Sequence, residues 1–134
     1  MNEISEEQAK EELEKGYDAA EELLKQPEKV EILLQRIEKK LKKIPKVGDT
    51  LAMVPIMVSL IRSYIRKEYN KAPIGSIIAI VSALIYLATP VDLIPDFIVG
   101  LGIVDDAAIL GMCYSLVSDD IKEYEEWRNE KRLS

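Results

Sequence analysis

Four aspartates lie close together in the most apolar part of this 134-residue chain. They are Asp92, Asp96, Asp105 and Asp106, within the segment TPVDLIPDFIVGLGIVDD, which contains no basic residue. Carboxylate oxygens are hard ligands that suit Mg²⁺, Mn²⁺ or Ca²⁺ rather than zinc. If the turn between them is helical, Asp92 and Asp96 share a face, and Asp105 and Asp106 close the site from across the loop. The four aspartates are therefore a candidate divalent-cation site, although their spacing is not that of an EF-hand.

The same segment also has a purely structural interpretation. Aspartate is a favoured helix N-cap, and Asp92, Asp96 and Asp105 are each placed to cap a helix or a short turn. Gly100 and Gly102 give the connecting loop its conformational freedom. A further alternative is ion pairing with basic residues of the preceding helix, namely Arg62, Arg66 or Lys71. We favour caps and ion pairs over a metal, because acidic clusters are often structural.

The residue types that most often carry catalysis are missing or isolated. The chain has no histidine, which removes the commonest general base and the commonest transition-metal ligand. It contains no glycine-rich phosphate loop. The single cysteine, Cys113, falls on the apolar stripe of the last predicted helix, so we expect it in the core. We predict no catalytic residue and a protein that is not an enzyme.

Helical periodicity dominates the elements around the aspartates, and alternation typical of strands is absent. We predict an all-α bundle of about five helices with a central apolar hairpin from Ala72 to Val117. Residues 1–70 supply acidic and basic amphipathic helices, and residues 71–134 supply the hairpin and the C-terminal helix, together forming one compact domain. The predicted helices run from Ser5 to Gln26, from Pro27 onward, from Asp49 to Tyr69, from Pro73 onward, and from Asp105 or Asp106 to Arg132. Two apolar stripes define buried faces, the first being Val30, Leu33 or Leu34, Ile37, Leu41 and Ile44, and the second Leu110, Cys113, Val117, Ile121 and Tyr124.

Charge and hydropathy leave two locations open. Residues 1–34 carry a net charge of −7 and residues 35–71 a net charge of +7, within a total of −6. The second helix presents a basic face that suits an anionic lipid surface or an acidic protein partner. Its predicted contact residues are Arg36, Lys39, Lys40, Lys42, Lys43 and Lys46. The uncharged run Ala72–Val91 is long enough to span a bilayer, yet a core helix enclosed by its own domain fits equally well. Tyr124 and Trp127 offer an anchor at a membrane interface or a partner.

The aspartate segment resembles the signature of the YkvA-like family, a bacterial family built on a domain of unknown function. The matching residues are Pro90, Asp92, Leu93, Ile94, Pro95, Asp96, Asp105 and Asp106. Val99 stands where the family usually has a further proline, so the loop with Gly100 and Gly102 is less constrained here. The resemblance covers about Lys71–Val117 and implies a small helical protein, often membrane-associated, with no established activity.

Three functional hypotheses follow. The first is a non-enzymatic module that binds an anionic membrane surface or a protein partner. The second is a divalent-cation-binding protein that uses the aspartates, and the third is a regulatory or toxin-neutralising protein whose acidic first helix contacts a basic partner. An acidic pI of 4.8 argues against nucleic acid as a partner. The polar, acidic N-terminus is not a secretory signal, so we expect the bacterial cytoplasm or the cytoplasmic membrane rather than secretion.

Overall fold

A computed structural model describes residues 6–42, 51–88 and 106–133 of the chain, and every element in these ranges is helical. The predicted all-α class is therefore confirmed. The helices are α1 (Glu6–Lys15), α2 (Tyr17–Leu24), α3 (Pro27–Lys42), α4 (Val54–Ile65), α5 (Ile74–Ala88) and α6 (Asp106–Leu133), with a 3₁₀ turn at Leu51–Met53 before α4.

Prolines mark three of the helix starts, as the sequence predicts. Pro27 is the first residue of α3, Pro55 lies in the first turn of α4, and Pro73 immediately precedes α5. Proline suits these positions because the first turn of a helix leaves its N–H groups without intrahelical partners. Pro73 also contributes its carbonyl oxygen, which accepts hydrogen bonds from the N–H groups of Ser76 and Ile77. Pro55 is thus a first-turn residue rather than a kink.

The N-terminal run is two helices rather than the single predicted one, and the break is at Gly16. Ser82 of α5 donates a hydrogen bond to the carbonyl oxygen of Leu13 at 2.6 Å. The backbone N–H of Gly16 reaches the same carbonyl at 3.1 Å. A β-carbon built at Gly16 would overlap the Ser82 hydroxyl oxygen, so only glycine lets the chain approach α5 this closely. The break therefore depends on a residue 66 positions further along the chain.

Helix α5 is the centre of the bundle. It packs against each of the other five helices, and most of its side chains are buried. Its buried residues are Ile77, Ala79, Ile80, Val81, Ser82, Ala83, Leu84 and Leu87. Within the described ranges, no helix combines the length and apolarity needed to cross a bilayer.

Helices α5 and α6 form the predicted antiparallel pair. Ser76, near the start of α5, hydrogen-bonds Asp120, while Ala79 further along α5 accepts a hydrogen bond from Cys113 earlier in α6. The second predicted stripe is confirmed in full, since each of its five residues is buried on α6. On α3 the stripe is buried through Ile37, Leu41 packs at the edge of the core, and Ile44 lies outside the described residues.

Helix α4 ends in a Schellman motif. The N–H of Glu68 donates to the carbonyl oxygen of Ser63 at 2.9 Å, and the N–H of Lys67 donates to that of Tyr64 at 3.0 Å. Lys67 takes the left-handed conformation with φ of 63°, which such an ending requires of its C′ residue. The turn directs Tyr69 into the core, where only 2% of it remains exposed.

Candidate functional site

The outward side of α3 carries an uninterrupted row of exposed residues. Ile32, Gln35, Arg36, Lys39 and Lys42 are all exposed, and their spacings of three and four place them on one helical face. We call this row the outer face of α3, together with Glu28 and Lys29 in the first turn. It contains four bases and one acid, a net charge of +3 in a chain whose total is −6. Ile32 is 54% exposed in the middle of it.

Lys40 differs from the other predicted contact residues because its ammonium group is turned inward. Its Nζ donates a hydrogen bond to the carbonyl oxygen of Leu87 at 2.6 Å. The last carbonyls of a helix lack intrahelical partners and carry partial negative charge, so a lysine there caps the end of α5. Lys43 and Lys46 lie outside the described residues. Of the six predicted residues, the structure thus places Arg36, Lys39 and Lys42 on the outer face.

The opposite flank of α3 holds two carboxylates against α4. Arg62 donates to both oxygens of Glu31, at 3.0 and 2.8 Å, and to both oxygens of Glu38, at 2.8 and 3.0 Å. These paired, charge-assisted bonds match the fixed fork of a guanidinium group. Arg62 is thus paired with two glutamates of α3, while ion pairing of the aspartate segment with Arg66 or Lys71 stays a prediction. The sequence analysis did not identify Glu31 and Glu38. The signal that could have indicated them is the lone arginine in the apolar run of α4, which requires an acidic partner.

The same bonds shift the ionisation of all three groups. Hydrogen bonds from Arg62 lower the pKa of both Glu31 and Glu38 below the ordinary value of 4.5, and partial burial opposes this only in part. Hydrogen bonds to Glu38 and then Glu31 raise the pKa of Arg62. All three groups are therefore charged over the physiological pH range.

The candidate metal site falls outside what the structure describes. Asp92, Asp96 and Asp105 lie in the undescribed range 89–105, and Asp106 begins α6 without a described side chain. The same range contains the remaining motif residues, which are Pro90, Leu93, Ile94, Pro95, Gly100 and Gly102. Among the side chains that are described, no group of three acidic or cysteine residues is arranged to hold a metal ion. The cation site stays a prediction.

Tyr124 lies in the packed interior, and Trp127 is half-buried against it. Tyr124 is 1% exposed, and its ring lies edge-on to Tyr69 and stacked with Trp127, with ring centroids 5.0 and 5.6 Å apart. Burial raises the pKa of Tyr69, whose hydroxyl has no hydrogen-bond partner among the described residues. The two aromatic residues of α6 therefore attach this helix to the end of α4. Burial makes Tyr124 unavailable as an anchor, whereas the anchor role of Trp127 stays a prediction.

A chain of hydroxyl groups extends from this aromatic cluster to the surface. The Tyr124 hydroxyl is 2.6 Å from Ser59 Oγ and 3.0 Å from Ser63 Oγ. Arg128 donates to Ser59 Oγ at 3.2 Å, and its guanidinium carbon lies 5.9 Å from the centre of the Tyr124 ring. Ser59 and Ser63 lie four residues apart on α4. This spacing predicts that they share a face of the helix, but it does not indicate Tyr124 as their hydrogen-bond partner.

Cys113 is a core residue, as predicted. It is fully buried, and its Sγ donates weakly to the carbonyl oxygen of Ala79 at 3.5 Å. Burial raises the pKa of its thiol to about 12. A thiol that stays protonated at neutral pH is a poor nucleophile, so this cysteine serves packing rather than chemistry.

Comparison with known proteins identifies the hairpin. Residues 76–112 match the family described as "Protein of unknown function (DUF1232)". A curated relative, the "Uncharacterized membrane protein YkvA" of Bacillus subtilis (strain 168), is 35% identical over 69 residues. The predicted resemblance of this segment to the YkvA-like DUF1232 family is confirmed. The aligned region is 52% of this chain and 65% of the relative, so the chain spans less than two thirds of the relative's length. No solved structure matches the chain.

The DUF1232 segment corresponds to a definite part of the fold. It begins at Ser76 in the first turn of α5 and ends at Met112 in α6, so it contains most of the central helix and the beginning of α6. The outer face of α3, the Arg62 network and the hydroxyl chain lie outside it. The family segment is thus the centre of the bundle, and the described charged surfaces belong to the helices packed around it.

Proposed function

We propose that this protein is a non-enzymatic, membrane-associated helical module that contacts anionic lipid through the outer face of α3. The observation that carries the proposal is the alignment of Arg36, Lys39 and Lys42 with the exposed Ile32 on one helical face. Bases near an anionic bilayer surface each contribute about 1 kcal/mol to binding. A helix with basic residues beside an apolar one is typical of proteins that lie in the interface.

The charge on this face is available for binding. Two other acids of α3, Glu31 and Glu38, do not neutralise this face, because they are hydrogen-bonded to Arg62 on the α4 side of the helix. Glu28 is the one acid on the outer face, in the first turn, seven residues or more before the three bases. Positive charge is therefore concentrated on the C-terminal half of α3, where Lys40 attaches the helix to the end of α5.

The fold also supports a shallow contact rather than insertion of the hairpin. Leu84 and the other apolar side chains of α5 are enclosed by five helices, so insertion of α5 would require the bundle to open. The inner stripe of α3 is likewise held in the core. Binding would then rest on three bases and one isoleucine. Such binding is mainly electrostatic and weakens at high salt. The relative's name, which calls that protein a membrane protein, favours the same location.

Vesicle flotation tests the proposal. The detergent-free protein is mixed with neutral or anionic phosphatidylglycerol-containing vesicles at low and high salt. We expect flotation with anionic vesicles at low salt only. The triple variant Arg36→Gln, Lys39→Gln, Lys42→Gln should bind anionic vesicles on the order of 100-fold more weakly, since three bases contribute about 3 kcal/mol.

A matched variant separates local charge from total charge. Lys10, Lys122 and Arg132 are exposed bases on α1 and α6, and changing all three to glutamine removes the same three charges. This control should keep most of the binding. Equal losses in both triple variants would contradict the outer face of α3 as the contact site. Flotation that survives high salt in the first variant would instead favour insertion of the hairpin.

A further inference from the structure

A cleft of about 560 Å³ opens between the start of α4 and the middle of α6. Its walls are apolar and polar in nearly equal parts, and the side chains of Tyr114, Glu125 and Arg128 supply polar groups. The lining residues are Ala52, Met53, Pro55, Ile56, Tyr114, Ile121, Glu125 and Arg128. A cleft of this size that combines apolar wall with a few polar groups is typical of sites that bind small molecules.

Arg128 gives the cleft its chemical character. One of its terminal nitrogens donates to Ser59, but its buried Nε finds no acceptor among the described residues. A buried donor without a partner costs free energy, and an arginine fork binds a planar carboxylate through two parallel bonds. Ser59 accepts the hydrogen bond from Arg128 and also lies 2.6 Å from the Tyr124 hydroxyl, so it helps to orient the guanidinium. The cleft therefore combines an apolar wall at Pro55 and Ile56 with an oriented guanidinium that lacks one hydrogen-bond partner among the described residues.

We propose that this cleft binds a medium-chain fatty acid, with the carboxylate on Arg128 and the alkyl chain along the apolar wall of Pro55 and Ile56. The volume accommodates a chain of about twelve carbons, within the range usual for ligand sites. Glu125 also lines the cleft, and its negative charge opposes a carboxylate ligand. The proposal is independent of the outer face of α3, because its ligand binds in solution without a vesicle.

Calorimetric titration with dodecanoate below its micelle concentration tests this site. The wild-type protein should bind one equivalent, and Arg128→Met should weaken binding by at least about tenfold through loss of the charge-assisted bonds. Arg132→Met removes an exposed arginine one turn further along the same helix and should leave binding unchanged. Glu125→Gln should tighten binding about twofold to threefold, since an opposing charge is removed.

Two further ligands and one further variant test whether the binding is specific. Octanoate should bind more weakly than dodecanoate, because fewer methylenes are buried, and dodecylammonium should not bind. Ala52→Phe fills the exposed mouth of the cleft and should block dodecanoate without involving any charge. Circular dichroism confirms that each variant keeps its helix content. Absence of wild-type binding, or dodecanoate binding that Arg128→Met leaves intact in a folded protein, would overturn the proposal.

Discussion

The two sides of α3 use charge in opposite ways. On the inner flank, Glu31 and Glu38 each make two hydrogen bonds with Arg62 and leave 27% and 43% of their side chains exposed. On the outer face, Arg36 and Lys39 are exposed to solvent. One helix thus separates charges that stabilise the fold from charges that remain available to a binding partner.

This separation has a structural cause. The inner flank borders α4, where Arg62 is 21% exposed and interrupts an otherwise apolar run. A partly buried guanidinium requires acceptors, and Glu31 and Glu38, seven residues and thus two turns apart, supply them from one flank. The outer face is exposed among the described helices, so its bases carry no such constraint there. Substitutions on the two sides should therefore affect different properties.

The largest effect should come from Arg62→Met on the inner flank. Methionine keeps most of the apolar stem but leaves two carboxylates close together without their cation. We expect a loss of about 2 kcal/mol in the free energy of unfolding, between the values for exposed and for buried ion pairs. Urea denaturation measures it, and flotation with anionic vesicles should be unchanged once the protein is folded. A large loss of vesicle binding would mean that the two sides of α3 are not separate.

The pH dependence of the free energy of unfolding, compared between wild type and Arg62→Met, tests the same ion pairs further. The folded-state pKa values of Glu31 and Glu38 lie below their ordinary value of 4.5, so the stabilisation is complete above that pH. It is lost as the pH falls through the lowered values, where the folded carboxylates take up protons. The stability difference between wild type and Arg62→Met should therefore shrink below pH 4.5. A difference that stays constant from pH 7 to pH 3 would exclude the ionic origin.

The sequence predicts those parts of the fold that depend on local pattern. Pro27, Pro55 and Pro73 mark helix starts through their own backbone chemistry, and the stripe from Leu110 to Tyr124 marks a buried face by its spacing. These signals need no knowledge of the partner helix. The exposed positions of Arg36, Lys39 and Lys42 follow from the same periodicity, since they lie opposite the apolar stripe of α3.

Features that depend on distant contacts were not predictable in this way. The break at Gly16 is set by Ser82 of α5, and periodicity alone gives a continuous helix there. The Arg62 pairings join residues 24 and 31 positions apart, so the sequence indicates the need for acids without naming them. The cleft at Arg128 is formed by α4 and α6 together, and neither helix shows it alone.

Lys40→Gln tests a residue that lies between the charges that stabilise the fold and the charges that remain available for binding. It belongs to the basic helix by sequence, but its ammonium group caps the end of α5 at Leu87. We expect a loss of about 1 kcal/mol in the free energy of unfolding, the usual value of a hydrogen bond plus its favourable position at a helix end. Vesicle binding should fall less than with Lys39→Gln. The reverse ranking would place Lys40 among the lipid contacts instead.

Ile32→Ser should have the smallest effect on stability and still separate two modes of binding. Because Ile32 is 54% exposed, its replacement should change the free energy of unfolding by less than about 0.5 kcal/mol. If the isoleucine enters the headgroup region, binding to anionic vesicles at low salt should weaken about threefold to fivefold, because the apolar contribution of this side chain is lost. Unchanged binding would restrict the contact to the three bases. The outer face of α3 would then act as a purely electrostatic surface, matching the inner flank in chemistry and differing from it only in its partner.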